Sequence, residues 1–233
     1  MTSLLKGCTG VILAGGENRR LPVLKSFIEI DGEKIIERNL KIMKNLFNEV
    51  FIVTNQPEVY LYLGFPLLGD VYDVRGPMTG VLTSLLNSSN HWVFISACDM
   101  PFINEHLIRY MAEKRYTYDA VVPKSPPPRF TPRRTSTKGA CLSGRQGLRK
   151  DYLEPLFAFY SKKLIPYMEK AVVSGKTGLK DIFYNKRVKY ITGDEIKNID
   201  PDARSFINFN TPEDVKHYLH FRSAGIEPLK SII

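Results

Sequence analysis

Cysteine is scarce: Cys8, Cys98 and Cys141 are odd in number and show no C-x-x-C spacing. That excludes a disulfide scaffold and the common zinc patterns, and it fits a reduced, cytoplasmic protein. Long apolar runs are missing as well. The N-terminal run from Gly10 to Gly16 stops at Glu17, Arg19 and Arg20, too short for the core of a secretory signal. Nothing approaches the ~18 continuous apolar residues of a membrane span. Neither G-x-G-x-x-G nor G-x-x-x-x-G-K-[ST] occurs, so the dinucleotide fingerprint and the P-loop are both excluded. No Ser-His-Asp or Cys-His set suggests covalent catalysis.

Acidic residues are absent from one stretch in particular. Residues 124–150 hold Lys124, Arg129, Arg133, Arg134, Lys138, Arg145, Arg149 and Lys150 with no Asp or Glu, so they carry most of the net charge of +9. The remainder of the chain is close to neutral. The same stretch is rich in proline, glycine, serine and threonine and reads as an exposed insertion loop. A basic arm of this kind suits an anionic partner, but its few aromatics argue against base stacking on nucleic acid.

What is present elsewhere is ordinary for a globular chain, with 43% hydrophobic and 24% charged residues. Strand-like and helix-like patterns alternate, as in a layered α/β domain with a mostly parallel sheet. The spacing predicts strands over TGVILA, EVFIVTN, GFPLLGD, HWVFISA, YDAVVP, EPLFAFY, KRVKYIT and SFINFN. It predicts helices over EKIIERNLKIMKNLF, MTGVLTSLLNSS, NEHLIRYMAEK, SKKLIPYMEKAVVSG and TPEDVKHYLHF, with Asn104 and Thr211 as N-caps. One domain over residues 1–221 is expected, interrupted by the 124–150 loop and followed by a tail over 222–233.

In open α/β sheets ligands bind beyond the carboxyl ends of the strands, so the polar residues just after each strand are the candidates. They are Gly15 and Gly16 with Arg19, Arg20 and Lys25, then Asn55, then Asp70, Asp73 and Gly76-Pro77, then Asp99, and last Asn208 and Asn210. The glycine corner lets backbone N–H groups approach an anion, and Arg20 and Lys25 add charge. Asp99, ending a buried strand, is placed to hold Mg²⁺. Taken singly, each has a plain structural reading: a chain turn, a surface lysine, a turn-capping aspartate.

Taken together, LAGG-x-x-x-R-L-x-x-x-K, RGPMTGV, ACDMPF and NFNTPEDV, in this order, resemble the molybdenum cofactor guanylyltransferases, the MobA-like nucleotidyltransferases. The segment EPLFAFYSKKLIPYMEKAVVSGKTGLKDIF is similar to that family's as well. The resemblance implies a three-layer Rossmann-like nucleotidyltransferase fold and transfer of GMP from GTP to the terminal phosphate of molybdopterin. It implies that Leu13, Ala14, Gly15, Asn55 and Asp70 bind the nucleotide, that Lys25 contacts phosphate and that Asp99 holds Mg²⁺. Arg20 would clamp phosphates. GTP and the molybdenum cofactor are the implied partners, with molybdoenzymes or other cofactor-biosynthesis proteins beyond them. Pro22 and Leu24 depart from the family's usual glycine and aspartate. Alternatives are a cytidylyl or sugar-phosphate nucleotidyltransferase, or a weakened relative that binds anions or nucleic acid.

Overall fold

The computed structural model describes residues 3–15, 25–125 and 152–223. Three runs rich in Val, Ile and Phe form β1 (Cys8–Leu13), β4 (Glu49–Val53) and β6 (Trp92–Ala97). Such nearly continuous apolar strands are covered on both faces. Between β1 and β4 lie a two-strand hairpin, β2 (Glu29–Ile30) and β3 (Glu33–Lys34), and α1 (Ile35–Leu46). Asp31 and Gly32, both at positive φ, make its tight turn. After β4 come the short β5 (Leu67–Leu68) and α2 (Pro77–Asn87), and after β6 come α3 (Glu105–Glu113) and β7 (Ala120–Ser125). The chain continues through β8 (Tyr152–Leu153), β9 (Phe157–Ser161), α4 (Ile165–Val173) and β10 (Val188–Ile191). It closes with α5 (Gly193–Lys197) and α6 (Pro212–Ser223).

Eight strands make one sheet in the order β10-β7-β9-β6-β1-β4-β5, with β8 paired to β7. All pairings are parallel except those of β9 with β6 and β7 and of β8 with β7. Successive residues of a strand point to opposite faces, and the core divides accordingly. Ile12, Ile52, Phe94 and Phe159 pack with Ile36, Leu40 and Met43 of α1 and Leu107 and Met111 of α3. Val11, Phe51, Val93 and Tyr160 pack with Met78, Val81 and Leu85 of α2 and Met168 and Val172 of α4. The result is helices, sheet, helices. Each fully buried side chain of this kind contributes about 1.5–3 kcal/mol.

Gly10 shows how closely one face is filled. A Cβ there would stand 2.5 Å from Phe47 Cδ2, and Phe47 stacks on Phe94 at 5.9 Å between centroids. At the amino ends of β1 and β4, Thr9 bonds Glu49 and Ser88, while Ser89 N donates to Glu49 Oε2 at 3.1 Å. These bonds tie the strand starts together and leave the opposite rim as the place where loops diverge.

The expected final strand is absent. Arg204–Phe206 form a 3-10 turn, and the following residues join no strand of the sheet; Phe209 N instead donates to Asp99 O at 2.9 Å. Ile207 and Phe209 pack with Ile28, Ile30, Val215 and Tyr218 in a satellite cluster formed with the hairpin and α6. The apolar alternation was real, but it serves that cluster. Asn104 caps α3 as expected, accepting from His106 N and Leu107 N. Thr211 Oγ1 accepts from Asp214 N at 3.2 Å while Asp214 Oδ2 accepts from Thr211 N at 2.9 Å, a reciprocal cap. Lys124 and Ser125, placed in the loop by composition, belong to β7; residues 126–150 of that loop and 224–233 of the tail lie outside the described residues.

Candidate active site

A cavity of about 730 Å³ opens at the carboxyl ends of β1, β4, β5 and β6. Leu13 and Ala14, at the exit of β1, line it with both carbonyls engaged. Leu13 O accepts from Cys98 N at 3.1 Å, and Ala14 O accepts from Thr54 Oγ1 at 3.1 Å. Gly15 lines the same wall with nothing within 4 Å of where its Cβ would be.

One end of the cavity carries a clasp. The Asn55 side-chain amide donates to Asp70 Oδ2 at 2.8 Å, and Asp70 N donates to Asn55 Oδ1 at 3.2 Å. The loops after β4 and β5 are thereby locked together, with the second carboxylate oxygen of Asp70 3.9 Å from where a Cβ of Gly80 would sit. The same Cβ would press on Leu13 at 3.3 Å, so glycine keeps a slot between Leu13 and the clasp. Beside it, α2 begins at Gly76, where a Cβ would stand 2.7 Å from Thr177 Cβ. The first turn of α2 has few free donors. Pro77 has no N–H, Met78 N faces Thr177 O at 3.4 Å, and Thr79 N and Gly80 N both turn to Gly76 O.

The other end is charged. Lys25 Nζ donates to Asn210 Oδ1 at 2.6 Å and lies 3.7 Å from Asp99 Oδ2. Lys25 opens a 3-10 turn that Ser26 anchors through a 2.8 Å bond to the Tyr60 hydroxyl. Asp99 is held by its own carbonyl, which receives Phe209 N, so the chain that carries Asn210 is tied to the metal candidate. Burial pushes the Asp99 carboxyl above its usual value, against the lowering pull of Lys25. Burial, with Asp99 adding to it, pushes the neighbouring Cys98 thiol up to about 12, so it stays protonated and is no nucleophile at neutral pH.

Of the expected site residues, Leu13, Ala14, Gly15, Lys25, Asn55, Asp70 and Asp99 line this one cavity, together with Gly76 and Pro77. Asp73 is exposed and lies off its wall. Asn208 lies off it too, with Oδ1 buried and without a hydrogen bond among the described residues. Arg20, along with Gly16, Arg19, Pro22 and Leu24, lies outside the described residues. Glu154 went unnoticed in the sequence. Burial first, and then Asp99, raise its carboxyl to about 7, with Lys180 opposing. Its only signal was a charged residue immediately before a proline that lies just ahead of a buried strand.

An open, mostly parallel α/β sheet, helices on both faces, and a cavity at the strand ends define a Rossmann-like α/β protein with its binding site at the carboxyl rim. More narrowly, the chain belongs to the MobA-like NTP transferase domain family, whose profile matches residues 10–189. It is 31% identical over 210 residues to a probable molybdenum cofactor guanylyltransferase of Peptoclostridium acidaminophilum, covering 90% of this chain and 87% of that one. It is 33% identical over 207 residues to another from Pelotomaculum thermopropionicum, covering 89% of each. Among solved structures it resembles the molybdopterin-guanine dinucleotide biosynthesis protein A of Archaeoglobus fulgidus, with a TM-score of 0.71 and 22% identity over 93% of this chain and 99% of that one. That last likeness speaks to the fold.

Proposed function

We propose that this protein transfers GMP from GTP to the terminal phosphate of molybdopterin, releasing pyrophosphate. The observation that carries the reading is that one cavity has a carboxamide–carboxylate clasp at one end and Lys25 beside Asp99 at the other. A guanine edge offers N–H donors, and the free oxygen of Asp70 is an acceptor beside a slot that Gly80 keeps open. The relatives' names point to the same base and acceptor.

In the reaction an oxygen of the acceptor phosphate bonds to the α-phosphorus of GTP as the α–β bridging bond breaks. A phosphate monoester, with a second pKa of about 6, is already largely a dianion at neutral pH, so no general base is required. The demand is to bring two anions together and to neutralise charge as pyrophosphate leaves. Lys25 exchanges its Asn210 contact for a phosphate oxygen.

Asp99 fits a role in holding Mg²⁺. It is a partly exposed carboxylate on the cavity wall beside Lys25, a hard oxygen donor of the kind that holds an ion taking one or two carboxylates plus substrate phosphates. Bound there, the ion would supply charge neutralisation at the phosphates. Arg20 is proposed to clamp the phosphates. GTP and the molybdenum cofactor are the proposed partners, with molybdoenzymes or other cofactor-biosynthesis proteins receiving the product. No helix among the described residues is long and apolar enough to cross a membrane, and Cys8 and Cys98 are free thiols; we place the protein in the cytoplasm.

The test is pyrophosphate release with Mg²⁺ and molybdopterin, comparing GTP with CTP, and isolation of the dinucleotide product. GTP-dependent product that requires molybdopterin is expected. Equal or better turnover with CTP, or turnover only with a sugar phosphate, would overturn the assignment.

A further inference from the structure

Strand β9 runs antiparallel to its neighbours, so its amino end meets the rim where the cavity lies. The turn leading into it is tightly held. Glu154 N donates to Pro123 O of β7, Phe157 N donates back to Glu154 O, and Ala97 N of β6 donates to Leu156 O, beside the cavity that Leu156 lines. Glu154 stands on this turn two residues before Leu156, just off the lined wall, within reach of the Asp99 charge. The Glu154 side chain is half-buried and its surroundings supply only charge: Asp99 repels it, Lys180 attracts it, and no described residue donates a hydrogen bond to it.

Across the rim the parts follow the strand order. The Asn55–Asp70 clasp sits beyond β4 and β5, Asp99 follows β6, and Glu154 precedes β9 on the far side of Asp99. Strands are spaced by about 4.8 Å, so base end, phosphate end and Glu154 form a line with the phosphates in the middle. Whatever meets Glu154 therefore enters from the side opposite the nucleotide.

We propose that Glu154 is an acceptor-binding residue whose carboxylate receives N–H donors from the reduced pterin ring of the molecule to be guanylylated. This rests on the guanylyltransferase reading. A carboxylate only accepts, so a half-buried one with no hydrogen-bond donor among the described residues selects a ligand rich in N–H groups, which also favour its ionised form. It also disfavours phosphate on its side of Asp99, which keeps a nucleotide triphosphate from lying across the cavity in the reverse sense. Specificity thus comes from attraction and repulsion at one residue.

The test uses the whole chain with molybdopterin as probe, titrated by quenching of pterin fluorescence, alongside turnover and titrations with GTP and Mn²⁺. In Glu154→Gln and Glu154→Ala, molybdopterin affinity is expected to fall about tenfold or more, and its KM to rise in step. GTP affinity does not fall, Mn²⁺ affinity changes far less than molybdopterin affinity, and the melting temperature does not drop. Unchanged molybdopterin affinity in both variants overturns the proposal. So does a parallel loss of GTP or Mn²⁺ affinity, which would make Glu154 a nucleotide or cation ligand. A wild-type protein that binds molybdopterin yet makes no guanylyl product refutes the reaction instead, and the same titration still decides the Glu154 contact.

Discussion

Lys25→Met is expected to leave the fold nearly untouched and to remove most of the turnover. The pair Lys25–Asp99, at 3.7 Å, has a bare Coulomb attraction of about 1–4 kcal/mol between the dielectric limits of water and a protein surface. The side chains are 33% and 21% exposed, however, and exposed pairs contribute a net ~0–1 kcal/mol once solvent screening and side-chain entropy are included. Unfolding free energy by urea titration should therefore fall by less than about 1 kcal/mol. Catalysis answers to a different quantity. A cationic donor aimed at charge that develops only in the transition state is worth about 10²–10³ in kcat. Pyrophosphate release should fall by that factor, with GTP affinity weakened far less. A variant that keeps more than about a tenth of wild-type turnover, against that expectation, would refute the phosphate role. A variant that instead loses several kcal/mol of stability would show that Lys25 serves the fold.

Three further outcomes follow from the same geometry. Gly10→Ala drives a methyl to 2.5 Å from the Phe47 ring, and should cost about 1–3 kcal/mol in urea or thermal unfolding; adding Phe47→Leu should recover part of that loss. Asn55→Ala removes both bonds of the clasp, so KM for GTP should rise about tenfold and the preference for GTP over CTP should narrow, with kcat less affected. Burial raises the Glu154 carboxyl from 4.5 to about 7, and Asp99 adds to it, so its contribution to stability is full at acid pH and is lost as pH rises through about 7. Unfolding curves of wild type and Glu154→Gln should therefore diverge in favour of the variant between roughly pH 5 and 8, where the carboxylate ionises.

Much of the sheet was legible because a strand covered on both faces must be apolar throughout, as β1, β4 and β6 are. Helices α1 and α3 announced themselves by the recurrence of apolar residues on one face, and α3 also by its Asn104 cap. The cavity residues were legible for a different reason. Leu13 to Gly15, Asn55, Asp70 and Asp99 all follow strands whose carboxyl ends share one rim, so position in the chain predicted position in space. The failure at Ser205–Asn210 came from the same rule applied once too often. Phe206, Ile207 and Phe209 satisfy a strand pattern, yet their burial is provided by other elements, and no local feature distinguishes a sheet partner from a satellite cluster.

The same physics explains why Glu154 escaped notice while Asp99 did not. Looking just after each strand finds the rim only where strands run parallel, and EPLFAFY has the composition of a central strand without any mark of its direction. Direction is set by its neighbours: β9 is inserted between β6 and β7, which are parallel to the rest, and pairs antiparallel with both. That single reversal moves the start of β9 to the rim and turns a residue before a strand into a residue beside the site. It also lengthens the rim beyond Asp99 without a further parallel crossover, and in the proposed reading that gives the acceptor one side of the cavity and the nucleotide the other, beside the clasp and glycine slot. If Glu154→Gln and Glu154→Ala leave acceptor binding intact, the reversal of β9 is an architectural fact about the sheet and has no part in choosing the acceptor.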